Sequence, residues 1–152
     1  MMRETLIGTW KLLSVDVRCG EQRRPLWGEA PVGQLIYTEE GRMAAELMAT
    51  ARRPWTNPDV LRASVDERAD ALATYISYAG RWELEAGMVS HYIEVCVVPN
   101  WVGTRQTRWV TLNGDDNLTL STEPMLIDGG VQVVEARWRR AAGREEHGGV
   151  VD

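Results

Sequence analysis

The sequence predicts an all-β chain: a closed antiparallel up-and-down β-barrel of about eight strands with one inserted α-helix. Three observations lead there. Long β-prone runs rich in Val, Thr, Tyr and Trp follow one another, separated by short turns containing Gly or Asn. A single segment, after Ser64, carries apolar residues at helical spacing. Pro99-Asn100-Trp101-Val102-Gly103-Thr104 separates two long runs with a proline that cannot donate to a ladder and a tryptophan that needs a surface to cover. Such a loop suits a barrel rim, either as a lid over a ligand or packed on its own sheet. Closure also removes the edges that so many strands would otherwise expose.

In chain order, Thr9 to Val17 reads as the first strand, opened by Gly8-Thr9-Trp10. A turn-rich segment from Gly20 to Pro31 holds at most a short strand around Arg24 to Trp27. Gly33 to Thr38 and Arg42 to Met48 form a hairpin about Glu39-Glu40-Gly41. In the returning strand Met43, Ala45 and Leu47 share one face, and Ala44, Glu46 and Met48 the other. Arg52 to Pro58 is loop. Ser64-Val65-Asp66-Glu67 has the form of a capping box, after which Val65, Ala69, Leu72, Ile76 and Ala79 recur at helical spacing up to Gly80. This stripe is expected to lie on the barrel wall or across its open end. Strands resume at Arg81 to Glu85, Met88 to Val98, Thr104 to Leu112, Asn117 to Thr122 and Val131 to Arg140, with Asn113-Gly114 a strong hairpin signal. Residues 1–140 are therefore assigned to the barrel, and 141–152, charged and glycine-rich, to a flexible tail.

At 152 residues the chain is one domain, long enough to bury roughly 70% of its unfolded surface. A net charge of -5 with both signs mixed argues against a nucleic-acid partner. The first residues lack the apolar core of a signal peptide and no stretch approaches a membrane span, so a cytoplasmic protein without a membrane partner is expected. Cys19 and Cys96 show no metal-ligand spacing and read as free thiols, with one disulfide as the alternative. Seven Trp and four Tyr, with no Phe, point to a lined cavity, because these side chains give broad apolar walls with few rotatable bonds.

Leu6-Ile7-Gly8-Thr9-Trp10-Lys11-Leu12, Gly33-Gln34-Leu35-Ile36-Tyr37-Thr38 with Gly41-Arg42-Met43, and Pro99-Asn100-Trp101-Val102-Gly103-Thr104, in that order, resemble the bacterial and fungal lipocalin-like domain family. His91-Tyr92-Ile93-Glu94 and Leu118-Thr119-Leu120-Ser121-Thr122 extend the resemblance over residues 6–139. It implies a small barrel with an internal apolar cavity, in which Gly8 and Trp10 close one end. By analogy with small barrels of polyketide pathways, it also suggests cofactor-free ring closure of a polyene.

The candidate chemistry is sparse. His91 and His147 have no ligand spacing around them, and no glycine-rich loop precedes a helix, so neither a metal nor a nucleotide cofactor is expected. Ser90 and His91 are strand neighbours on opposite faces and cannot form a dyad; Cys96 shares a face with His91 only if a bulge intervenes. His91 with Ile93, Val95 and Val97 makes the more apolar face, so His91 is expected to enter the cavity as a general base or to be held by a hydrogen bond within the sheet. Tyr78 is the second catalytic candidate, presenting a hydroxyl to a substrate carbonyl. Trp55, Trp82, Trp101, Tyr37, Tyr92, Met43, Met48 and Trp109 are the expected ligand contacts. Two functions fit: a cofactor-independent cyclase or isomerase acting on an apolar polyketide-like intermediate, or a carrier holding an apolar small molecule without turnover. A homodimer is compatible with either.

Overall fold

The computed structural model describes residues 1–142. The chain runs β1 (Gly8–Cys19), β2 (Gln22–Pro25), β3 (Val32–Tyr37), β4 (Arg42–Met48), α1 (Val65–Ala73), β5 (Tyr75–Glu85), β6 (Met88–Cys96), β7 (Arg105–Asn113), β8 (Asn117–Thr122), β9 (Met125–Ile127) and β10 (Gly130–Arg140). Single 3-10 turns at Arg3–Thr5 and Pro99–Trp101 complete it. Eight strands form the closed antiparallel ring β1-β3-β4-β5-β6-β7-β8-β10, sealed by β10 on β1, while β2 and β9 flank β1 and β10. The expected eight-stranded barrel with one helix is the observed one.

β1 makes closure possible because it is long enough to be shared. Its first half pairs with β3, from Gly8↔Tyr37 to Lys11↔Gln34, and its second half with β2. Its other edge carries β10 from Trp10↔Arg140 to Arg18↔Val133.

Two bulges decide which side chains enter the barrel. In β1 the register slips between Leu12 and Ser14, so the buried set changes from Trp10 and Leu12 to Val15 and Val17, and Leu13 is left 44% exposed. In β6 the pairs Gly80↔Ile93 and Ala79↔Val95 leave Glu94 as the extra residue. Val95, expected inside, is therefore turned outward, and Cys96 opposite Tyr78 takes the inner position. Gly80 is where the two strands press together: a Cβ there would overlap the carbonyl oxygen of Tyr92.

The inner face is apolar and closely packed, built around Trp10, Leu35, Tyr37, Met43, Trp82, Val89, Leu118 and Trp138. The end bearing the hairpins Tyr37–Arg42, Glu85–Met88 and Asn113–Asn117 is sealed. Leu6 and Trp10 are fully buried there, and Trp10 Nε1 donates to the Leu6 carbonyl at 2.9 Å. Arg140 lies 4.2 Å over the Trp10 ring and donates to the carbonyls of Thr5 and Ile7 at 2.8 and 3.0 Å. Arg3 covers Trp82 in the same way at 4.5 Å. A stacked guanidinium that also satisfies end-of-strand carbonyls makes a lid with few unpaired groups.

Three sequence expectations are corrected. The helix ends at Ala73 rather than before Gly80, and Ile76 and Ala79 belong to β5. Strand pairing to β4 (Leu47↔Ile76, Ala44↔Ala79) gives both residues ladder bonds and Ile76 an inner position that a longer helix would forgo. The capping box forms, with Glu67 N donating to Ser64 Oγ, but the expected apolar stripe does not face the barrel: Val65 is 82% and Leu72 55% exposed. Glu67 is buried instead, because its carboxylate accepts from the backbone N–H groups of Thr56 and Ser64 at 2.8 and 3.2 Å. Those bonds hold its pKa below the ordinary carboxylate value, Thr56 contributing most. The short second strand covers Gln22–Pro25 rather than Arg24 to Trp27. The expected tail lies outside the described residues except for Ala141 and Ala142; Ala141 N still donates to the Thr9 carbonyl at 2.9 Å.

The two glycines flanking the β5–β6 hairpin set up a stability test. Gly80→Ala is expected to destabilise the barrel by about 3 kcal/mol or more, since backbone must move. Gly87→Ala, at φ +76° in open space, should cost only about 1–2 kcal/mol of left-handed strain. Urea denaturation of both variants checks the order; equal losses would show that the strand contact at Gly80 is slack.

Candidate functional site

The end opposite the arginine lids is differently built. Here β4 leaves for α1 and returns as β5, the Pro99–Trp101 turn joins β6 to β7, and β9 crosses towards β10. The insert is held by its C-terminal end: Arg52 donates to Thr74 Oγ1 and the Ala71 carbonyl, both at 3.1 Å, and Trp27 Nε1 donates to the Ala73 carbonyl at 3.0 Å. A cation and an indole N–H thus satisfy the unpaired carbonyls of the last helical turn. Between α1, Trp27 and the β6 end lies a groove of about 340 Å³ lined by apolar groups including Leu26, Leu72, Ile76 and Val98.

Ile76, which lines the groove, and Tyr78 are successive inner residues of β5, so the aromatic cluster begins one inner position further along the strand. The Tyr78 ring sits 5.7 Å from Trp101 and 5.6 Å from His91. Arg108 lies 5.8 Å over the Trp101 ring. Deeper still, Tyr37 Oη and His91 Nε2 share a 2.7 Å hydrogen bond, and Tyr37 packs 4.7 Å from Trp82. His91 is paired with Trp82 on β5 and Gln106 on β7, and Arg108 is paired with Val89, so His91 and Arg108 are diagonal neighbours on the inner wall.

The electrostatics follow from burial. His91 is fully buried, and desolvation, followed by the Arg108 charge, pushes its pKa down to about 3. Burial raises the Tyr37 hydroxyl well above its ordinary value; neighbouring Tyr78 adds to this and Arg108 opposes it. Both members of the pair are therefore neutral near neutrality. His91 Nδ1 is buried without a partner among the described residues. Arg108 is 7% exposed, and its guanidinium donates to the Thr107 carbonyl at 2.9 Å.

The structure thus brings together His91, Tyr78, Tyr37, Trp101, Trp82 and Met43, the last two nearer the sealed end. It does not bring in four other expected contacts. Trp109 points outward and is 52% exposed, because period-2 alternation on β7 gives the inner place to Arg108. Tyr92 is on the outer face, donating to Glu83 at 3.0 Å beneath the guanidinium of Arg81. Met48 shares the outer face of β4 with Glu46, its sulfur 3.7 Å from Arg52 Nη1. Trp55 stands 37% exposed in the loop before α1, along a cleft on the helix's outer side.

Ser90 is on the other side of β6 from His91 and accepts from Arg105 Nε at 3.0 Å. Among the described residues no three His, Cys, Asp or Glu side chains gather as metal ligands, and no helix is long and apolar enough to cross a membrane. Arg108 and Trp27 are the site residues that sequence reasoning missed. The signal for Arg108 was the alternation Gln106, Arg108, Val110, Leu112, which puts a cation in an otherwise inward-facing series.

Residues 7–141 match the family model of the lipocalin-like domain, and the chain belongs to that family. A 4'-hydroxy-3'-methoxypropiophenone carrier protein of Aspergillus oryzae is 33% identical over 107 residues, spanning 64% of this chain and 96% of the relative. Among solved structures, a redesigned β-barrel aligns over 91% of this chain and 94% of its own at 13% identity, TM-score 0.43. A variant of the fluorescent protein UnaG aligns over 93% and 99% at 13% identity, TM-score 0.41.

The burial of His91 predicts an acid-side loss of stability. Above about 6.5 the imidazole is neutral in both folded and unfolded chains and contributes no pH dependence. As pH falls from there towards 3, the unfolded chain binds a proton that the folded one refuses. The share of stability lost through this residue should reach roughly 2 kcal/mol at pH 5. Urea denaturation at pH 7, 6 and 5 should show a shallower decline for His91→Gln than for the wild type; parallel declines would mean that His91 titrates normally.

Proposed function

We propose that this chain, with membership of the lipocalin-like domain family as the premise, is a binding protein that holds a small, flat, apolar molecule at the open end of its barrel and releases it unchanged. The observation that carries this reading is the Tyr78–Trp101–Arg108 cluster beside an apolar groove beneath Trp27 and α1, the two adjoining through Ile76 of β5 and Pro99 of the Trp101 turn. Aromatic faces with few rotatable bonds cover a flat ligand at low entropic cost. The Aspergillus oryzae relative is named as the carrier of an aromatic ketone, a molecule of this shape. It supports carriage as the activity and an aryl ketone as a ligand class to try.

Ring closure of a flexible polyene is the competing reading, favoured by the same aromatic walls. His91 gives it little help. A buried imidazole pushed down to about 3 is a weak base near neutrality, and its Nε2 is already engaged by Tyr37. Turnover in this barrel would have to come from confinement of the substrate in a reactive conformation.

Native mass spectrometry with aryl ketones should show a one-to-one complex whose ligand is recovered unchanged in structure. Trp101→Ala should weaken binding about tenfold, as expected for the loss of a stacked aromatic together with its covered area. Titration with the fluorescent probe N-phenyl-1-naphthylamine gives the constant. A bound species released at identical mass but altered structure would replace carriage with isomerisation.

A further inference from the structure

We propose that the ligand carries an acidic oxygen, a phenolate or carboxylate on its flat apolar body, and that Arg108 is the counter-ion waiting for it. This rests on the binding reading above and adds the chemistry of the ligand's polar end.

Arg108 is the buried arginine among the described residues. Of the exposed or half-exposed ones, Arg23 meets Asp16 and Glu135, Arg42 meets Glu94 and Arg53 meets Asp70, while Arg52, Arg68 and Arg105 bond neutral acceptors at the water's edge. Arg140, which water reaches less, stacks on Trp10, bonds three backbone carbonyls and lies 3.8 Å from Asp116. Arg108 is buried, yet among the described residues it has no carboxylate partner; its hydrogen bond is to the carbonyl of the preceding residue. An arginine keeps its charge inside a protein, and an unpaired buried charge is costly. The arrangement is economical only if something else on the cavity side completes it.

The surroundings say what that is. β6 faces Arg108 with Val89 and His91, and β8 with Leu120 and Thr122, whose Oγ1 already accepts from Val134 N at 3.0 Å. From across the barrel come Tyr37 and Tyr78, and from the rim Trp101. None of these is an acid. Among the described residues the buried polar and charged ones are Glu67, Ser90, His91, Arg108 and Thr122, and Glu67 caps the N-terminus of α1. A neutral His91–Tyr37 pair nearby and an indole face alongside leave the guanidinium as the only charge on this stretch of described inner wall. Its fork of N–H donors fits a carboxylate or phenolate oxygen better than a lone carbonyl. The apolar groove beyond Tyr78 takes the ligand's body, so charge and hydrophobic surface are read at opposite ends of one molecule.

Three ligands on one naphthalene body separate the possibilities by calorimetry: 2-naphthoate, the acidified phenol 6-acetyl-2-naphthol, and the uncharged ketone 2-acetonaphthone. The wild type should bind naphthoate about tenfold more tightly than the ketone at pH 7, and Arg108→Met should bring the ratio of the two affinities close to one. Arg108→Lys, which keeps the charge but loses the fork, should retain part of the preference. The naphthol tells the two acid sources apart: if phenolates are taken, its anion absorption appears on binding at a pH where the free phenol is protonated. Equal affinity for naphthoate and ketone, or a preference that survives Arg108→Met, overturns the inference and leaves the binding reading standing. Failure of all three to bind overturns the binding reading and this inference with it.

Discussion

Everything in this molecule depends on the pairing of β10 with β1. Without it the eight ring strands would be an open sheet with two long unpaired edges; with it the sheet has an inside and an outside. The shared strand meets its partners by bulging at Leu13, which lets it keep Trp10 and Leu12 inside below the bulge and Val15 and Val17 inside above it. Period-2 alternation, harmless in an open sheet, then becomes an assignment of every residue to core or solvent. That is why one extra residue at Glu94 turns Val95 out to 67% exposure and brings Cys96 in opposite Tyr78.

An enclosed apolar interior fixes the chemistry that polar residues within it can perform. The Tyr37–His91 hydrogen bond is short and buried, and burial disfavours the charged form of both partners. Such a pair positions and donates; it does not move protons readily near neutrality. Arg108 is the exception that keeps its charge, and its guanidinium lies 5.8 Å over the ring of Trp101 in the turn between β6 and β7.

Much of this was legible in the sequence because it is local. Hairpin signals at Glu39-Glu40-Gly41 and Asn113-Gly114 appear as turns, with Gly41 and Gly114 at φ +88° and +70°. The capping box at Ser64 forms as its residue types require. What was illegible depends on partners distant in sequence. The helix pattern through Ile76 and Ala79 was overruled by β4, whose ladder could not be inferred from the segment itself. The orientation of Trp109 and Tyr92 follows from which alternate residues of β6 and β7 the closed barrel turns inward, His91 and Arg108. The outward turn of Val95 follows from a bulge with no glycine in the slipped position to announce it. Bulk and aromaticity mark Trp109 and Tyr92 as cavity candidates, whereas the residue turned inward on β7 is Arg108, a type most often found at the surface.

The two ends of the barrel differ in how much each would lose on opening. At the hairpin end, Trp10 and Trp82 are each covered by a guanidinium, and Arg140 joins Thr5, Ile7 and Asp115 across the closure seam. Opening that end would strip several backbone carbonyls of their donors at once and expose two fully packed indoles. At the other end, α1 exposes Val65 and Leu72 to solvent and is held at its last turn by Arg52 and Trp27. Moving it breaks a few exposed or half-exposed hydrogen bonds and uncovers a groove that is already partly open. Local opening takes the path with the fewest buried contacts to lose, so a ligand of the proposed kind would reach Tyr78 and Arg108 beneath Trp27 rather than past Trp10.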